Sequence, residues 1–390
     1  MKKSILPKIQ DIQCFDIYIP FKHTFSHAGH RRTETETILV KIVDQNGNTG
    51  YGEGCPRSYV TKETIESAVQ FIEQQASVFT GNFITINKLM VHAKTYKQQI
   101  DQNPSAWAAF ETACLDLIAK ARPCSIESLF NLQTATLPEL TYSAVIGSDS
   151  FSFKQRLDEY VSMAFEQYKI KLSGHSSQDR SSIQEVLRKG IEPANIRFDA
   201  NNLWRSSDEV IAYFNQLAFK PAYLEEPVAA GDFHALERIH DMLGCKIILD
   251  ESFLRMDDFK YITSTPDKWA INLRISKMGG ILRTLEIAHY ASERSIAMVI
   301  GSHVGETSLL TRAATLIATA YKNHIVAMEG AFSDYLLEYD LFSPKMQFSH
   351  GGVLKLGTPL GDGMGLTFQP DNHNQAVEQT LVGQSQSMTN

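Results

Sequence analysis

The 390-residue chain is 43% hydrophobic and 21% charged, with a formal net charge of −7. That balance describes a globular protein with a sizeable core and excludes a general nucleic-acid binder, which needs a basic surplus. No apolar run approaches the ~20 residues that cross a bilayer, which excludes membrane spans.

The opening MKKSILPKIQ has two lysines but no long apolar stretch behind them, which argues against a secretory signal. Cys14, Cys55, Cys114, Cys124 and Cys245 are scattered, odd in number and without CxxC spacing. They read as thiols of a cytoplasmic protein with no structural zinc. CFDIYIP (14–20) and TILVKIVD (37–44) are strand-like, and QNGNTG (45–50) supplies a turn, so 37–53 is a hairpin. Helical spacing follows, most clearly in NPSAWAAFETACLDLIAKA, where Asn103 is placed to cap and Pro104 opens the helix. Trp107, Phe110, Cys114, Leu117 and Ile118 step by three and four, predicting one buried face. Strands first and helices after predict an α+β domain over 1–135.

From about residue 140 strands and helices alternate. The candidate strands are TYSAVI (141–146), QYKIKL (167–172), NIRFDA (195–200), AYLEEP (222–227), KIILDE (246–251), WAINLR (269–274), AMVIGS (297–302) and IVAME (325–329). Amphipathic stretches lie between them, such as Phe153, Leu157, Val161 and Ala164 in one register. The fold class is therefore α/β, a (β/α)7β TIM-like barrel over 136–354 with an N-terminal α+β capping domain. With no convincing helix after the eighth strand, 355–375 is expected to return to the cap. The Gln/Ser/Asn-rich 376–390 reads as a disordered tail.

Asp199, Glu225 and Asp250 each close an apolar run, and the runs recur every 24 to 28 residues. In a barrel this spacing delivers neighbouring strand ends to one rim, where three carboxylates repel each other unless a hard cation joins them. All-oxygen ligation suits Mg²⁺ or Mn²⁺. Asn201 shares the face of Asp199 and is placed to touch the metal's water or the substrate. Glu226 and Glu251 are expected to face away from the mouth and support the ligands. Lys169 and Lys171 share a face at the end of the second strand. A cation beside two lysines suits removal of a proton α to a carboxylate, with Lys171 as base and Lys169 holding a substrate oxygen.

The segments YKIKLSG, FDANNLW, YLEEPV, ILDESF and NLRISKMGGI resemble, in order and spacing, the muconate-lactonizing and mandelate-racemase branches of the enolase superfamily. ILVKIVDQNGNTGYGEGCP resembles the capping hairpin of that family and AWAAFETACLDLIAKARPCSIESLFN its long helix. The resemblance implies Lys169 and Lys171 as a KxK pair, Asp199, Glu225 and Asp250 as Mg²⁺ ligands, and assembly as a homo-oligomer. Where that family carries a second lysine on strand six, this chain has Arg274, a poor proton shuttle. Lys277, three residues on, reads as a solvated loop lysine. His303 matches the opposing histidine of the mandelate-racemase branch, with Glu329 as a candidate partner, and Glu306 reads as a helix cap. The paired strand-eight aspartates of dipeptide epimerases are absent, which disfavours a dipeptide. In the cap, PFKHTFSHAGHRR (20–32) offers Phe21, Phe25, Arg31 and Arg32 to a substrate, and Tyr59 belongs to a companion loop.

The expectation is a cytoplasmic Mg²⁺-dependent isomerase, either a racemase/epimerase or a cycloisomerase, acting on a small-molecule carboxylate such as an amino-acid derivative through an enediolate. A syn-dehydratase with Lys171 as single base and a non-catalytic carboxylate-binding barrel are the alternatives. No nucleic-acid or membrane partner is expected.

Overall fold

A computed structural model describes residues 6–27, 30–132, 139–147, 150–357 and 361–382. Thr37–Asp44 pairs antiparallel with Thr49–Gly54 on one side and with Ile9–Ile17 on the other. Asp44 fixes the hairpin turn by accepting from the N–H groups of Asn46 and Asn48 at 2.8 and 2.9 Å. A further strand, Val377–Val382, pairs with the outer edge of Ile9–Ile17. The polar stretch expected as a tail thus contributes a strand up to Val382, and 383–390 lie outside the described residues. A neighbouring edge supplies its backbone partners, which composition does not report.

The helix Pro104–Ala121 begins where Asn103 and Pro104 predict, though Asn103 makes no side-chain cap bond. The expectation of one buried face is corrected: every residue from Pro104 to Ala119 is buried. On one side the strand Thr49–Gly54 lies directly on the helix, and a Cβ at Gly52 would stand 1.9 Å from the Ala109 carbonyl oxygen. On the other side Glu111 accepts from the Leu282 N–H at 2.9 Å, tying the helix to the segment after the sixth barrel strand. Gly280, at φ +98°, makes room for that carboxylate, whose Oε1 would lie 2.4 Å from an added Cβ. Small alanines between the large residues are what let both layers approach.

The eight barrel strands form one parallel sheet in chain order. They are Ala144–Ile146, Tyr168–Lys171, Ile196–Asp199, Tyr223–Glu225, Lys246–Leu249, Trp269–Leu273, Ala297–Ile300 and Ile325–Met328. The two edges meet where the Ser143 N–H donates to the Met328 carbonyl at 2.8 Å. α-Helices make the crossovers except after the fifth strand, where Met256–Tyr261 is a 3-10 turn. Beyond the eighth strand the helices Ser333–Leu336 and Pro370–Ala376 are short. Ile248, Ala270, Val299 and Ala327 form a core cluster of their own. Asn272 lies two residues after Ala270 on its strand, and Asp250, Arg274 and Glu329 stand one residue past the strand ends, two or four residues after Ile248, Ala270 and Ala327, so the alternation that buries this plug directs those side chains above it. Among the described residues no helix is long and apolar enough to cross a membrane.

Candidate active site

Above the plug lies a cavity of about 250 Å³, lined by Lys169, Lys171, Asp199, Arg274, His303 and Glu329 among others. Lys169 is buried, with Nζ 3.1 Å from Asp199 Oδ2, 2.8 Å from Glu225 Oε2 and 2.9 Å from Glu329 Oε2. Burial opposes its charge, but the three carboxylates outweigh that and hold its pKa above the ordinary lysine value. Two residues on, Lys171 stands 3.9 Å from Asp199 Oδ2. Burial is the main force on this amine, with Asp199 opposing and the charges of Lys169 and Arg274 adding to it. Its pKa is pushed down to about 8. Identical side chains on one strand face are thereby driven in opposite directions.

Asp199 and Glu225 are register partners on adjacent strands and meet around Lys169. Asp250 stands apart. Its Oδ1 accepts from Lys277 Nζ at 2.6 Å and its Oδ2 pairs with Arg274. Among the described residues Cys55, His303 and Glu306 bring one ligand atom each within 4.8 Å of the others, whereas the strand-end acids do not gather so closely. The carboxylates still fit a hard cation. Glu225 Oε2, Asp250 Oδ2 and Glu251 Oε2 are buried without a hydrogen bond, although the first two have an ion-pair contact. Charge contact without hydrogen-bond geometry leaves lone pairs available to a divalent ion. Glu226, at φ +39°, turns back so that its Oε1 accepts from the N–H groups of Asp250 and Ser252, both at 2.7 Å, bracing the fifth-strand loop. Glu251, expected to face away, lines the cavity instead, and burial raises its pKa to about 8.

Lys277 also departs from expectation. It is fully buried and donates to Asp250 Oδ1, the Asp250 carbonyl and the Asn272 carbonyl. The turn Ile275–Met278 is covered by the cap helix, which converts a loop lysine into a clamp on Asp250. Asn272, not singled out in the sequence, donates to Glu225 Oε1 at 2.9 Å. Gly301 makes its room, since an added Cβ would meet Asn272 Oδ1 at 2.1 Å. The signal was a lone polar residue sharing the face of Arg274 in a buried strand.

Glu329 is not the partner of His303. Its Oε2 faces Lys169 and its Oε1 accepts from Arg197 Nη1 at 2.9 Å, while Arg197 Nη2 reaches Ser143 Oγ at 2.9 Å across the barrel seam. Burial would raise the Glu329 pKa, but Lys169 and Arg197 carry it below the ordinary value. The acid beside His303 is Glu306, whose Oε1 accepts the His303 N–H at 2.6 Å and lies 3.4 Å from Nδ1. The expected cap role of Glu306 belongs to Thr307, whose side chain accepts from the Leu309 N–H. Burial, reinforced by Arg274, holds His303 neutral, its pKa well below the ordinary histidine value.

From the cap, Tyr59, His23 and Thr24 reach the cavity wall, and Tyr160, Phe332 and Tyr335 give it an aromatic side. Phe21 is buried near Gly305 rather than on the wall, and Arg32 pairs with Glu36 at 2.6 Å. The side chains of Phe25 and Arg31 lie outside the described residues. Asn201 sits at φ +47° and gives its N–H to Asp199 Oδ1 at 3.1 Å.

Residues 152–372 match the enolase C-terminal domain-like family. The chain belongs to that family. Among its relatives is a hydrophobic dipeptide epimerase of Citrifermentans bemidjiense, 29% identical over 89% of this chain and 93% of that one. An o-succinylbenzoate synthase of Listeria innocua is 23% identical over 89% of each chain. The solved dipeptide epimerase of Cytophaga hutchinsonii, complexed with Mg and the dipeptide D-Ala-L-Val, superposes with a TM-score of 0.82. It is 20% identical, covering 95% of this chain and 98% of that one, and shows the same capped-barrel fold.

Proposed function

We propose that this member of the enolase superfamily is an isomerase that removes the proton α to the carboxylate of a small acid, with Lys171 as base. What carries this reading is the contrast on the second strand. Lys169 is fixed as an ammonium among three carboxylates, while Lys171 faces the cavity with its pKa pushed down to about 8. A neutral amine near physiological pH takes a proton, and the adjacent fixed cations, Lys169 and Arg274, favour the negative charge that results. Asp199, Glu225 and Asp250 would hold Mg²⁺ or Mn²⁺, which when bound offsets charge developing on the substrate carboxylate.

Racemisation or epimerisation needs a proton returned to the opposite face, and His303 is a neutral imidazole that lines the same cavity. Cycloisomerisation needs no second base. Arg274, standing where a second lysine is expected, supports one further reading, syn-elimination of water by Lys171 alone. We read 1–135 with 355–375 as the substrate-selecting cap and 136–354 as the catalytic barrel. Action in the cytoplasm as a homo-oligomer belongs to the same reading, which the five free thiols support. The test is ¹H NMR in D₂O across N-acyl amino acids, dipeptides and acid sugars with Mg²⁺ present. Solvent deuterium entering the α-position supports the reading, with inverted product marking epimerisation and an alkene marking dehydration. Undiminished exchange in a Lys171→Ala variant would end it.

A further inference from the structure

Across the seam between cap and barrel, Cys55, His303 and Glu306 bring one ligand atom each within 4.8 Å of the others. Cys55 follows the cap strand Thr49–Gly54, whereas the other two lie on the loop after the seventh barrel strand. Both sides are pinned. The Cys55 N–H donates to Ser276 Oγ at 2.8 Å, and the His303 N–H to Glu306 Oε1 at 2.6 Å. The His303 side chain is 1% exposed, yet neither ring nitrogen has a hydrogen-bond partner. Its Nδ1 lies 3.4 Å from Glu306 Oε1 without hydrogen-bond geometry. A buried imidazole with both nitrogens unmatched calls for an occupant.

We propose that Cys55, His303 and Glu306 form a second metal site, for a borderline divalent ion of the Zn²⁺ class, separate from the strand-end carboxylates. Sulfur, imidazole and carboxylate are the donor set such an ion takes, whereas Mg²⁺ prefers oxygen alone. Cys55 binds as thiolate, its proton leaving to solvent as the metal enters, so thiolate and carboxylate balance a doubly charged ion. The nearby cations are already engaged: Arg57 with the carbonyls of Glu36, Pro56 and Val304, Arg274 and Lys277 with Asp250, and Arg32 with Glu36. His303 and Glu306 line the cavity, so three protein ligands leave a further position open toward substrate space. An ion there occupies an imidazole lone pair needed for proton return and ties the cap to the barrel.

The full-length protein, chelator-treated and then saturated with Mg²⁺, is titrated with Co²⁺. One equivalent should bind with a near-ultraviolet thiolate-to-cobalt charge-transfer band, which Zn²⁺ bleaches because its d-shell is full. Cys55→Ser and His303→Gln should each lose the band, and Cys124→Ser should keep it. Circular dichroism of each variant verifies folding. Absence of the band in folded wild type, or its persistence in Cys55→Ser or His303→Gln, overturns the proposal. Because the readout is spectroscopic, it stands or falls apart from proton exchange.

Discussion

At the ends of the second, third, fourth and eighth barrel strands, Lys169 is matched by Asp199, Glu225 and Glu329 within 3.1 Å, whereas at the sixth and seventh strands Arg274, His303 and Glu306 share a wall with both imidazole nitrogens unmatched. In the first region Asp199 is in register with Lys171 on one side and Glu225 on the other, which gathers the acids beside Lys169, and Glu329 joins them from the end of the eighth strand. The second is assembled from a strand end, a loop and the cap, and leaves polar atoms over. Matched charge fixes protonation states, as with Lys169. Unmatched groups are the ones free to take a proton or a ligand.

The sharpest way to break that contrast is Lys171→Ala, which should lower α-proton exchange by about 10²–10⁴-fold while leaving the urea unfolding midpoint nearly unchanged. Lys169→Met should lower exchange as well, but unlike Lys171→Ala it should also cost stability. It strands three buried carboxylates and should cost about 3–5 kcal/mol in urea unfolding, part of it recovered by millimolar Mg²⁺. An unchanged midpoint would mean the acids are already neutral. Gly52→Ala, which would drive a Cβ against the Ala109 carbonyl, should cost about 1–3 kcal/mol and leave the pH profile untouched. The profile itself should rise with pH, because only neutral Lys171 accepts a proton. Rate should fall about tenfold per unit below the limb, at about 8 or lower once a divalent cation adds positive charge nearby. A rate that falls as pH rises toward 8 would point to an acid instead.

The regions also differ in how far the sequence made them legible. Strand alternation alone puts Lys169 with Lys171, and equal spacing puts Asp199 and Glu225 on neighbouring strands, whereas Asn201, expected on the face of Asp199, sits in the turn beyond that strand. Loop residues follow no such period. Lys277 was expected in solvent because nothing local says that Pro104–Ala121 covers its turn, and Glu306 was expected as a cap because Thr307 fills that role one residue later. Glu329 went to Lys169 rather than His303 because Arg197 draws it to the barrel seam from a strand 132 residues away.

By itself the chain's pattern determined the capped barrel, the order of its strands and the face on which the acids and lysines stand, since hydrophobic periodicity and strand-to-strand spacing are local quantities. Tertiary structure alone decided which lysine stays charged, which acid answers Arg274, and that Cys55 meets His303 across the seam. Burial and Coulomb interaction depend on distances between segments far apart in sequence, and only the closed fold sets those distances.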